Sequence, residues 1–176
     1  LDGSLTIAGN AIGAWDFDLE NGGEVWGNSW DGIEITSTSP GSSAVIRDNA
    51  ISENGDDSDG IEMEYVDGSV EIRDNIIGAW TYYEYDGGEP VAEAGFVGNH
   101  HDGINLHDVD GTVLIDGNKI ADNGLDGIHI DAISVDEEQD PGTGEWVFLR
   151  GSVTISNNDI GEWTDAEEET YGANDN

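Results

Sequence analysis

The sequence predicts an all-β solenoid of short parallel strands stacked coil upon coil, and three observations carry that prediction. One pattern occurs five times, and a second occurs four times in strict alternation with it. Both patterns alternate apolar and other residues with period two, the signature of a strand with one buried face. Apolar spacing of helical period appears nowhere along the 176 residues. Units that recur this closely cannot each bury an apolar face alone, so they must share a core by stacking about 4.8 Å apart.

The first pattern reads "GSLTIAGNAIGAW" (3–15), "SSAVIRDNAISEN" (42–54), "GSVEIRDNIIGAW" (68–80), "GTVLIDGNKIADN" (111–123) and "GSVTISNNDIGEW" (151–163). Its inward residues are Leu5 and Ile7, Ala44 and Ile46, Val70 and Ile72, Val113 and Ile115, Val153 and Ile155. Past an asparagine turn, Ile12, Ile51, Ile77, Ile120 and Ile160 mark a second short strand. The second pattern is Asp-Gly-Ile, beginning at Asp31, Asp59, Asp102 and Asp126. It supplies a third strand with Ile33 and Ile35, Ile61 and Met63, Ile104 and Leu106, Ile128 and Ile130 inward. Gly and Asp-Gly punctuation separates the strands, and the Gly of Asp-Gly is expected at positive φ.

This unit, VxIxxNxI…N…DGIxI, resembles the repeats of the pectin-lyase-like superfamily, especially the NosD-like and general β-helix repeat families. The resemblance covers essentially the whole chain. It implies a right-handed, single-stranded parallel β-helix of about four to five coils, forming one domain over 1–176. It also implies that Asn10, Asn49, Asn75, Asn118 and Asn158 form an internal asparagine ladder. Physically, an amide at a turn can bond its equivalent one coil up and satisfy turn backbone groups. Both ends break off in mid-coil, so the expectation is a fragment of a longer solenoid or a subunit that stacks end to end.

A longer period lies over the first. Trp15, Trp80 and Trp163 fall at one repeat position, with Asn54 and Asn123 there in the intervening copies. Coils with long acidic-aromatic excursions therefore alternate with tight ones. Trp15, Trp26, Trp30, Trp80, Trp163, Tyr82 and Tyr83 are candidates to stack on sugar rings or on a neighbouring copy, and the competing reading is that they cap the edge of the core. Residues 134–150 read as an inserted hairpin.

Four Lys plus Arg stand against forty Asp plus Glu, a formal charge of −36. That field opposes nucleic acid and anionic membrane surfaces, and no apolar run is long enough to span a bilayer. Self-repulsion of this size needs screening by salt or by bound cations. The composition resembles that of proteins from salt-loving organisms, and an acidic fold held by Ca²⁺ is the equal alternative. The first-choice calcium ligands are Asp56, Asp57 and Asp59, then Asp16, Asp18 and Glu20. The column Asp31, Asp59, Asp102 and Asp126 needs compensation either from turn N–H groups or from Ca²⁺ between coils. There are no cysteines, hence no disulfide and no thiolate site.

Stacking also gathers His107, His129 and Asp131 on the outer face of the Asp-Gly-Ile sheet, with Glu64 one coil away. Imidazole and carboxylate at that spacing can hold a transition metal, while an ordinary polar face is the plainer reading. By resemblance, this exposed sheet is also where pectate-lyase-like enzymes carry their active residues. Their elimination chemistry uses a cationic base beside calcium, and here the cations are only Arg47, Arg73, Lys119 and Arg150. Arg47 and Arg73 sit beside Asp48 and Asp74, where ion pairing accounts for them. The paired-Asp and Gly-His-Gly motifs of polygalacturonases and the Asp-Pro-His motif of alginate epimerases are absent. The expectation is thus a non-catalytic, extracellular or cell-surface structural or adhesive module. The alternatives are a polysaccharide-active or carbohydrate-binding β-helix, and a filament subunit that binds copies of itself.

Overall fold

The computed structural model of the chain describes residues 1–13, 28–52, 54–55, 58–78, 84–86, 89–91, 98–121, 123–133, 135–139 and 146–161. Among these residues there is no helix, and three sheets made wholly of parallel strands carry the structure. The first sheet takes β1 (Ser4–Ala8), β4 (Ser43–Arg47), β7 (Ser69–Arg73), β12 (Thr112–Asp116) and β17 (Ser152–Ser156), in that order. The second takes β2 (Ala11–Gly13), β5 (Ala50–Ser52), β8 (Ile76–Gly78), β13 (Lys119–Ala121) and β18 (Asp159–Ile160). The third takes β3 (Ile33–Ile35), β6 (Ile61–Val66), β11 (Ile104–Val109) and β14 (Ile128–Ile130). Each sheet orders its strands by repeat, so the chain visits the three sheets in turn and stacks on itself as a β-helix-like solenoid does.

Register follows the repeat. Ile7 pairs with Ile46, Ile46 with Ile72, Ile72 with Ile115 and Ile115 with Ile155. Like residues thus stand above like, and Ile46, Ile72, Ile77, Ile104, Leu106, Ile115 and Ile120 form one continuous buried core. Inward and outward residues alternate along β12 and over Ile61–Glu64 of β6, as the period-two pattern requires, and left-handed Tyr65 (φ 49°) interrupts the alternation in β6. Burial fades at the ends of the stack. Ile155 and Ile160 are 47% and 49% exposed although their counterparts one repeat earlier are buried.

The corner between the first and second sheets turns through a left-handed residue just before each repeat asparagine. Gly9, Asp48, Asp74, Gly117 and Asn157 have φ between 54° and 69°. Gly, Asp and Asn are the residues that accept this conformation most readily, which accounts for "AGN", "RDN", "DGN" and "SNN" in the sequence. Beyond each turn the asparagines bond one another. Asn49 Nδ2 donates to Asn75 Oδ1 at 3.0 Å and to Ile7 O at 3.0 Å, while its backbone N–H meets the same Asn75 oxygen. Asn10, Asn75 and Asn118 repeat this with Asn49, Asn118 and Asn158.

The Asp-Gly glycines depart from expectation. Gly32, Gly60, Gly103 and Gly127 do not have positive φ. Close approach is what demands glycine at the first three. A Cβ on Gly60 would lie 2.6 Å from Gly103 O and 2.7 Å from Asn99 Nδ2, and Gly32 and Gly103 are confined in the same way. Within 134–150, β15 (Val135–Gln139) and β16 (Trp146–Arg150) form an antiparallel hairpin. A smaller one joins β9 (Glu84–Asp86) and β10 (Glu89–Val91). The cations Arg47 and Arg73 pair with neighbouring acids, Arg47 with Asp48 and Arg73 with Glu71 at 3.5 Å and Asp74 at 3.8 Å.

Candidate functional site

The chemistry-bearing residues gather where the chain enters the third sheet. Here the Asp-Gly aspartates stand in a column, and each carboxylate serves the next repeat. Asp31 Oδ1 accepts the Asp59 N–H at 2.6 Å, Asp59 Oδ1 accepts the Asp102 N–H at 2.7 Å, and Asp102 Oδ1 accepts the Asp126 N–H at 2.8 Å. Of the two compensations weighed from sequence, backbone N–H donation is therefore present. Asp59 and Asp102 are only 4% and 2% exposed, and burying a carboxylate demands such charge-assisted bonds. Asp59 gains two further partners, Asn105 Nδ2 at 2.7 Å on Oδ2 and His101 Nδ1 at 2.9 Å on Oδ1.

His101 Nδ1 lies 3.5 Å from Asp102 Oδ2, so its ring sits between two buried acids. A second group shares Asp102 and adds Asp126 and His129, whose Nδ1 is 3.2 Å from Asp126 Oδ2. That bond and the surrounding acids raise the His129 pKa above the ordinary imidazole value. On the outer face of the sheet, His107 and His129 approach with ring centroids 6.4 Å apart, and His107 Nδ1 lies 3.6 Å from Asp131 Oδ2. His107 is level with Glu64 on β6 and Asn105 with Glu62. Partial burial, a hydrogen bond to Asp31 and the charges of Asp31, Asp59 and Glu64 push the Glu62 carboxyl up to about 7.

The structure thus brings together His107, His129, Asp131 and Glu64 on one face, and Asp31, Asp59, Asp102 and Asp126 along its entry edge. Trp30, at that edge, is 77% exposed. Asp16, Asp18, Glu20, Asp56, Asp57, Trp15, Trp26, Trp80, Trp163, Tyr82 and Tyr83 lie outside the described residues.

Sequence reasoning missed a second asparagine column. Asn28 Nδ2 donates to Asn54 Oδ1 at 2.9 Å, Asn54 to Asn99 at 2.6 Å, and Asn99 to Asn123 at 2.8 Å. Counting forward from the first pattern aligns Asn54 and Asn123 with the tryptophans, whereas the bonds align them with Asn28 and Asn99. In the sequence, the long excursions fall just before Asn28 and Asn99. Counting back from Asp-Gly reveals the column, since Asn28, Asn99 and Asn123 each precede the aspartate by three residues. His101 and Asn105 were also missed as site residues, because both look like variable positions of the repeat.

No protein-family model matches the chain, and neither curated proteins nor solved structures yield a match.

Proposed function

We propose that the chain is a non-catalytic structural or adhesive module, a right-handed parallel β-helix of the pectin-lyase-like kind with between four and five coils. It works outside the cell or on its surface, stabilised by Ca²⁺ or high salt. The observation that carries this reading is the use made of the acids. The Asp31, Asp59 and Asp102 carboxylates each accept the N–H of the next repeat, so they act as connectors between layers. The resemblance of the repeat supports the handedness, and the amide bonds between Asn10, Asn49, Asn75, Asn118 and Asn158 support their reading as an internal ladder.

The calcium part of the reading is tested by melting the protein at moderate salt with and without EDTA. A fall in Tm on chelation, reversed by added Ca²⁺, is expected, and an unchanged Tm would remove Ca²⁺ and leave salt as the stabiliser. The non-catalytic part is tested with a panel of acidic and neutral polysaccharides, for which no turnover is expected. Turnover that disappears in His107→Ala would replace it with the second reading, a polysaccharide-active or carbohydrate-binding face. The approach of His107, His129 and Asp131 favours that alternative. A third reading is end-to-end association with copies of itself, which light scattering across salt concentrations would detect.

A further inference from the structure

We infer that Asp59, His101 and Asp102 form a binding site for a transition-metal dication of the Zn²⁺ class, distinct from the outer His107, His129 and Asp131 patch. The three side chains offer Asp59 Oδ1, His101 Nδ1 and Asp102 Oδ2, which all lie within 4.8 Å of one another. The imidazole nitrogen stands 2.9 Å from one oxygen and 3.5 Å from the other. A tetrahedral ion with bonds of 2.0–2.1 Å has ligand atoms about 3.3 Å apart, so the imidazole nitrogen is already near the required separation from each acid. Two carboxylates balance the charge of a dication. One imidazole in the set favours Zn²⁺ over Ca²⁺, which seeks six to eight oxygens at longer range.

The residues around the triad orient it as outer partners orient metal ligands. The Asp102 N–H and the Asn105 amide hold the two oxygens of Asp59, and the Asp126 N–H holds Asp102 Oδ1, leaving Oδ2 turned to the His101 ring. His101 is fixed through its own backbone, its N–H donating to Ser58 O at 3.1 Å and its carbonyl accepting from Leu125 N at 3.0 Å. Its ring is 36% exposed, which gives an ion a way in and leaves a position for water. A separate observation points to a missing ligand. Asn105 is 6% exposed, its amide is set against Asp59, and its Oδ1 has no hydrogen-bond partner. A buried amide oxygen left unpaired, on a side chain whose nitrogen holds one of the three ligands, is costly in a bare protein.

The test is a titration of the chelator-stripped full chain with Zn²⁺, followed by calorimetry, with Co²⁺ absorption reporting tetrahedral ligation. High KCl and excess Mg²⁺ suppress diffuse binding to the acidic surface. One saturable Zn²⁺ site per chain is expected, with a rise in Tm. His101→Gln, which changes no formal charge, should weaken binding by about tenfold or more and abolish the Tm rise. Asp102→Asn should do the same, whereas Glu71→Gln, on the first sheet, removes the same charge and should bind as wild type does. The inference is overturned if Zn²⁺ does not bind under these conditions, if His101→Gln binds normally, or if His129→Gln loses more affinity than His101→Gln. A negative result leaves the EDTA and polysaccharide tests of the structural module unaffected, because those are read at fixed salt without added Zn²⁺.

Discussion

The asparagine column at the first corner and the aspartate column at the entry to the third sheet do the same mechanical job with different chemistry. In both, a side-chain oxygen accepts the backbone N–H of an adjacent repeat, that of the preceding repeat at 2.8–3.0 Å for asparagine and of the following repeat at 2.6–2.8 Å for aspartate. An amide also donates. Asn75 Nδ2 bonds Asn118 Oδ1 and Ile46 O, so the column supplies both halves of its own bonds and needs nothing from outside. A carboxylate only accepts, so each aspartate carries a charge and a surplus of lone pairs that must be met by something else. In this chain they are met by His101, Asn105 and His129, and the face becomes chemically distinct there. The same device is self-sufficient when built from amides and carries negative charge that other groups must meet when built from acids.

Exchanging the chemistry of the two columns breaks or sharpens this comparison. Asn75→Asp should be the most damaging exchange, costing about 4 kcal/mol or more. It removes both donations and places a charge in a buried neutral column, and urea denaturation would show it. Asp102→Asn should change stability by less than about 1 kcal/mol at low salt, because the new amide oxygen still accepts the Asp126 N–H and a buried charge is lost. Equal costs for the two exchanges would erase the distinction between the columns.

A comparably small effect is a pH dependence seated beside the aspartates. The Glu62 pKa is raised to about 7 in the folded chain from an ordinary 4.5, so the folded state binds the proton more tightly than the unfolded state. Its contribution to stability is therefore fully present below 4.5 and is lost as pH rises through about 7. Glu62→Gln should remove that loss, gaining up to about 1 kcal/mol over wild type above neutral pH, once solvent screening of a partly exposed group is allowed for. Near pH 4.5 the two proteins should be alike. Parallel stability curves for the two proteins across that range would contradict the assignment.

The strands and the core were legible in the sequence because stacking repeats one environment per position, so Ile46, Ile72 and Ile115 mark the same buried site three times. The first asparagine column was legible for the same reason. The second was hidden by insertions of unequal length, which shift Asn28 and Asn99 out of step with Asn54 and Asn123. Local turn chemistry suggests positive φ for the Asp-Gly glycines, whereas at Gly32, Gly60 and Gly103 the neighbouring repeat's backbone is what excludes a Cβ. His101 and Asn105 carry no repeat signal at all. Their role depends on reaching Asp59 one repeat away, at sequence separations of 42 and 46, and no short motif encodes that.

If the amide columns hold this solenoid by themselves while the acidic column depends on screening, salt acts through the acids. The decisive comparison is between the melting temperatures of wild type and Asp102→Asn from low salt to about 2 M KCl. The wild-type Tm should climb by several degrees or more, with Asp102→Asn at or above wild type at low salt and losing that advantage as salt rises. A wild-type Tm independent of salt, or an Asp102→Asn deficit that is constant throughout, would contradict it.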